Sequence, residues 1–323
     1  MLNQRIISRV KLAAAALMLI ALCSNLASAA NAWKVLNLTN HPSARINMAM
    51  AYDPAGKDIV LFGGDDGTSY LNDTWILNSS GWVELHPPIS PPGRSASAMG
   101  FDLPTRKIVM FGGYDGSNYL GDTWIWDGVA QTWTKAHPTT LPTPVTLPML
   151  YTDPLNKHTG MVGGFDGMFY QDITWQWTGT NWKPLSPVTW LWARGAALVA
   201  NDYAHGKVVI FGGLADVNPV NTWTWDGVNW TMENPSTQPP WSYYTPGVYD
   251  PMLRSVVMFG GSSGLNSTWV WSGSDWGELP ILNPPPNRDS HGLAYDFNTN
   301  RLIMFGGETF GTFVDSTGEL TVQ

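Results

Sequence analysis

Four-residue apolar runs recur along this chain, and each stops at a pair of glycines. Ile59-Val60-Leu61-Phe62 ends at Gly63-Gly64, Ile108-Val109-Met110-Phe111 at Gly112-Gly113, Val208-Val209-Ile210-Phe211 at Gly212-Gly213, and Val256-Val257-Met258-Phe259 at Gly260-Gly261. The glycine pair appears twice more, at Gly163-Gly164 and Gly306-Gly307. Ten residues before each pair stands an aspartate: Asp53, Asp102, Asp153, Asp202, Asp250 or Asp296. Successive pairs are 46 residues apart at the closest (260 to 306) and 51 at the widest (112 to 163). A period of about 50 residues belongs to a radial array of small sheets. The runs lack polar alternation, so they read as short strands buried on both faces, between neighbouring sheets.

Each repeat resolves into four strands. The first is small and apolar, as in Ala96-Ser97-Ala98-Met99-Gly100-Phe101, and a tight turn helped by Pro54, Pro104, Pro154 or Pro251 follows its aspartate. The glycine-terminated run is the second. The third opens with Thr and an aromatic residue: Thr74-Trp75, Thr123-Trp124, Thr174-Trp175, Thr222-Trp223, Thr268-Trp269 and Thr312-Phe313. A turn such as Asp226-Gly227 leads to a fourth strand carrying Trp82, Trp133, Trp182, Trp230 or Trp276. No stretch has helical periodicity. The sixth repeat lacks this last tryptophan, but Ala32-Trp33-Lys34-Val35-Leu36 matches Gly81-Trp82-Val83-Glu84-Leu85. The economical expectation is that the segment around Trp33 completes the last sheet and closes the ring, which removes exposed edges. The alternative has residues 318–322 supply that strand.

The pattern Arg, Asp eight residues later, Gly-Gly, Tyr (Tyr70, Tyr119, Tyr170), Thr-Trp, Trp resembles the kelch repeat over essentially the whole of residues 30–323. The resemblance implies an all-β fold: a six-bladed kelch-type β-propeller of four-stranded antiparallel blades, with the last blade closed by the N-terminal strand. It does not imply one activity. Kelch propellers serve as binding platforms and, in galactose oxidase and a periplasmic sialic acid mutarotase, as enzymes.

Residues 1–29 read as a signal peptide. Arg5, Arg9 and Lys11 precede a short apolar run, and Ala27-Ser28-Ala29 offers a cleavage site. A secreted or periplasmic protein is expected, with no transmembrane segment after cleavage. The chain has 17 basic and 25 acidic residues; removing the leader leaves 14 against 25, a formal charge of −11. That balance argues against nucleic acid as a partner. Cys23 is the single cysteine and is lost with the leader. The copper–radical chemistry of galactose oxidase, which needs a cysteine cross-linked to tyrosine, is therefore disfavoured. No cofactor and no metal are expected, and a monomer is.

Two sets of loops, those between second and third strands and those joining one blade to the next, are long and emerge together. That face is the expected site. Arg45, Arg94, Arg194 and Arg288 recur eight residues before the repeat aspartate, with Val145 and Ser242 at the other two positions. They read either as a cationic ring for a carboxylate or sulfate, or as scaffold bonding backbone carbonyls between blades. His291 stands beside them as a scaffold residue or a ligand. Trp190, Trp192, Trp241 and Tyr243 fall outside the repeat template, and either stack on a ligand or plug the channel. Asp66-Gly67, Asp115-Gly116 and Asp166-Gly167 lack the oxygen spacing of a calcium loop and read as turns. The leading expectation is an exported module recognising a glycan or a protein segment through the long-loop face. The rivals are a mutarotase- or epimerase-like enzyme acting on an acidic sugar through His291 and Arg288, and a structural cell-surface interaction protein.

Overall fold

The computed structural model describes residues 31–217 and 219–322, and among them there are strands and turns but no helix. The leader expected over residues 1–29 lies outside the described residues. Six four-stranded antiparallel sheets follow one another around a ring. Blade 1 runs outward through Ala49–Asp53, Asp58–Asp65, Tyr70–Asn78 and Gly81–Leu85. Blades 2 to 5 begin with the inner strands Ala98–Asp102, Met149–Thr152, Leu198–Asp202 and Gly247–Asp250, and repeat the same order.

Blade 6 differs. Its order from the axis is Gly292–Asp296, Arg301–Phe305, Thr317–Thr321 and Ala32–Leu36, with Trp33 opposite Leu320. The N-terminal strand thus closes the ring, as its likeness to the blade 1 outer strand suggests. Two expectations are corrected. The segment expected as the alternative fourth strand falls in the third, Thr317–Thr321, and Thr312-Phe313 belongs to a small hairpin, Glu308–Thr309 with Thr312–Phe313. The true counterpart of Thr74 is Thr317.

The second strands are the core. Ile59, Phe62, Ile108, Phe111, Val208, Val256 and Phe305 are buried, packing between adjacent blades as the unbroken apolar runs require. Each outer tryptophan then reaches the preceding blade. Trp82, Trp133, Trp182, Trp230, Trp276 and Trp33 donate their indole N–H to the hydroxyls of Thr317, Thr74, Thr123, Thr174, Thr222 and Thr268, at 2.8–3.2 Å. Five of these side chains are buried and Trp33 is partly buried, each with its polar atom satisfied. The repeat aspartates are buried at the short turns, where Asp53, Asp153 and Asp250 accept the N–H of Ala55, Leu155 and Met252.

Candidate functional site

On the long-loop face the channel rim is a closed belt of backbone hydrogen bonds. Asn47, Ala96, Leu147, Ala196, Tyr244 and Ser290 occupy equivalent positions, all with φ between 52° and 58°. Each donates its N–H to the carbonyl of its counterpart in the preceding blade, and Asn47 donates to Ser290 at 2.8 Å to complete the circle. A second circuit runs just outside it. The second glycine of each pair donates to the residue at the arginine position in the next blade, from Gly64 to Arg94 O around to Gly307 and Arg45 O.

The arginines serve this scaffold. Arg45, Arg94, Arg194 and Arg288 are buried, and their Nη1 atoms donate to the carbonyls of Gly63, Gly112, Gly212 and Gly306. Arg45 also grips Asp73 through two bonds of 2.7 and 2.8 Å, and Arg94 grips Asp122. Burial works against the Asp122 carboxylate, but Arg94 outweighs it and holds that group below the usual carboxylate range. Arg194 turns to Asn221 and Arg288 to Ser316. Burial pushes the Arg194 guanidinium down to about 10. Where the arginine is Val145, the acid's place is taken by Ile173. Of the two readings of these arginines, the geometry is that of the scaffold: the forks are turned inward, onto carbonyls and polar side chains of their own blades.

His291 is enclosed between blades, 6.1 Å from the Phe259 ring. Burial, with Arg288 nearby, pushes its imidazole down to about 3, so it stays neutral at physiological pH. His291 lines the central channel with both ring nitrogens lacking a hydrogen-bond partner among the described residues, whereas Arg288 is held by Gly306 O and Ser316 Oγ.

The second-to-third-strand loops are stapled to one another. Tyr70 lies against Gly116, Tyr119 against Gly167 and Phe313 against Gly67, each aromatic ring covering the loop glycine of the next blade. A Cβ at Gly116 or Gly167 would stand 2.7 or 2.5 Å from that ring, so the glycines are needed for the contact. The rings of Tyr70, Tyr114, Tyr119, Phe165 and Tyr170 follow one another at 5.0–5.9 Å across three blades. Asp66, Asp115 and Asp166 accept N–H groups two and three residues ahead, forming turns. The Thr68 hydroxyl together with the turn N–H groups at Asp66, and the turn N–H groups at Asp115 and Asp166, hold all three carboxylates below the ordinary range.

The loop tips differ around the ring. In blades 1 and 2 they are polar, Asp66-Gly67-Thr68-Ser69 and Asp115-Gly116-Ser117-Asn118. In blades 3 to 6 they expose Met168 (74%), Phe169 (60%), Val217 (82%), Leu265 (40%) and Phe310 (87%). Sequence reading missed these five because the repeat template is silent about loop tips; only their apolar character amid polar neighbours could have singled them out. Trp190 and Trp192 are exposed in the blade 3–4 connection and do not line the channel. Trp241 is half-buried, donates to Gly213 O at 3.0 Å and packs on Tyr243, which packs on Tyr244 of the belt.

A family model described as the KLHDC2/KLHL20/DRC7 Kelch-repeats domain matches residues 21–188, more than half of the chain. No curated protein matches it.

Proposed function

The chain belongs to the kelch-repeat family, whose propellers are generally protein-interaction modules, and we propose that this one is exported and holds a protein segment on its long-loop face. The observation that carries the proposal is the arc of exposed apolar tips on four consecutive blades. Tyr119 covers Gly167 beside Met168 and Phe169, and Phe313 of the Phe310 hairpin covers Gly67, so the tips of blades 3 and 6 are already ordered and lose little freedom on binding, while Val217 and Leu265 extend the apolar arc between them. Phe310 adds a second sign. It occupies the left-handed region at φ 47° on the tip of a two-residue hairpin, where a bulky side chain is disfavoured.

The flanking loops of blades 1 and 2 carry Asp65, Asp66 and Asp115. An apolar segment with basic flanks complements this surface. Export rests on the basic residues, apolar run and Ala27-Ser28-Ala29 of the leader. Peptide display against the purified mature protein tests the reading. Enriched peptides should be apolar with Lys or Arg at their ends. Their affinity should fall about tenfold with Phe310→Ala or Phe169→Ala. A display that enriches nothing, or peptides indifferent to both substitutions, would remove the long-loop face from consideration.

A further inference from the structure

Each inner strand is paired on one side only, and the six free edges enclose a central channel of about 330 Å³. No Lys, Arg, Asp or Glu side chain lines it among the described residues. In an antiparallel strand, alternate residues turn their N–H and C=O away from the partner. Here those groups turn toward the axis. In blades 2 and 3 side chains take them up: Thr152 Oγ1 donates to Phe101 O at 2.7 Å, and the Asn201 amide bonds both the N–H and the carbonyl of Thr152. At the same position in blades 1, 5 and 6 stand Tyr52, Tyr249 and Tyr295, each directly before its repeat aspartate.

Those tyrosines belong to an aromatic cluster at the short-turn end of the channel, opposite the long loops. Phe297 is its centre, 5.3 Å from Tyr52, 4.9 Å from Tyr295 and 6.4 Å from Tyr203, and Tyr203 lies edge-on to Tyr249 at 5.3 Å. All five line the channel. Phe297 and Tyr203 are 43% and 57% exposed, so the mouth is reached from solvent. The Tyr295 hydroxyl, on a lining residue at this end, is buried without a protein partner among the described residues.

Aromatic faces beside uncharged donors and acceptors, in a cavity of this size, match one ligand chemistry. A pyranose offers a C–H face to a ring and hydroxyls that both donate and accept. An anion would find no cation in the lining and would lose its hydration uncompensated. We propose that the short-turn mouth of the central channel binds a neutral pyranose, one sugar ring packed on Phe297 and Tyr203 with its hydroxyls on the inner-strand edges. A free monosaccharide and the terminal unit of a glycan present the same ring. The site is separate from the long-loop face, so either reading can fail alone.

Saturation-transfer NMR on the mature protein tests it, with D-glucose, D-galactose, D-mannose and N-acetyl-D-glucosamine as probes and D-glucuronate as the charged control. Maltose and lactose separate chain-terminal from free sugar. At least one neutral probe should show transfer, with affinity weakened about tenfold by Phe297→Ala or Tyr203→Ala and unchanged by Trp192→Ala. Should Phe297→Ala lose its cooperative melt, the more exposed Tyr203→Ala carries the same comparison. No transfer to any neutral probe, affinity indifferent to the ring substitutions, or tighter binding of glucuronate would overturn the proposal.

Discussion

Trp33 donates its indole N–H to Thr268 Oγ1 at 3.2 Å across 235 residues of chain. The bond belongs to the same ring of six tryptophan–threonine contacts that joins every other pair of blades, so the start of the described chain is a structural member of the last blade. Trp33 is only partly buried, and its ring packs on Phe259 at 5.3 Å. Trp33→Ala should cost about 3 kcal/mol, the lower end for losing a packed tryptophan. Urea denaturation measures it. An unchanged midpoint would mean that the ring closes without this strand.

The Arg45–Asp73 pair and the Val145–Ile173 pair occupy equivalent places in blades 1 and 3, each separated by 28 residues of chain. One blade holds its corner with charge and the other with apolar groups. Arg45→Val alone should cost about 3 kcal/mol, the lower end for breaking a buried pair, because it removes the charge partner of Asp73 and leaves that carboxylate the Trp75 indole N–H alone. Adding Asp73→Ile, which copies blade 3, should recover most of that loss. A double-mutant cycle reads the coupling. Additive costs would show that the two side chains act independently.

The fold was legible because its signals repeat. Gly63 and its five counterparts mark one corner per blade, and the apolar run before each pair marks a buried strand. Blade 6 misled where the repeat is imitated. Thr312-Phe313 copies the Thr-aromatic signature in a hairpin, while the real third strand opens Thr317-Gly318. There a side chain would meet Met304 Cε at 3.1 Å and Trp33 at 3.5 Å. The small residue makes room for the N-terminal strand, a contact no local pattern can show. The arginines were found at their right spacing, but whether a guanidinium faces solvent or its own blade depends on residues 27 or 28 positions later. The cluster of Tyr52, Tyr203 and Phe297 was invisible for a similar reason. One residue precedes its aspartate and two follow theirs, in turns that meet only when the ring is closed.

Asp58 opens the second strand of blade 1 opposite Asp53. Burial, with Asp296 and Asp53 nearby, pushes its carboxyl up to about 6. The folded state therefore binds this proton more tightly than the unfolded chain does. The resulting stability is fully present below the ordinary aspartate range and is lost as pH rises through about 6. Asp58→Asn should stabilise the protein at pH 7 by about 1 kcal/mol, a figure reduced for solvent screening. Thermal melts of both proteins from pH 4 to 7 should diverge with rising pH. Parallel curves would show that Asp58 titrates normally.

Phe310 and Gly311 form the two-residue tip between Thr309 and Thr312, both with positive φ. Asparagine followed by glycine suits that turn, whereas phenylalanine pays for its left-handed backbone. The ring is 87% exposed, and nothing in its surroundings offsets that cost. Phe310→Asn should raise stability by about 1 kcal/mol, measured by urea denaturation, while weakening any peptide held on the long-loop face. The opposite signs matter: a residue kept for the fold alone would lose stability when replaced. If Phe310→Asn lowers the urea midpoint, the hairpin depends on its phenylalanine, and the argument that the tip is shaped for a partner fails with it.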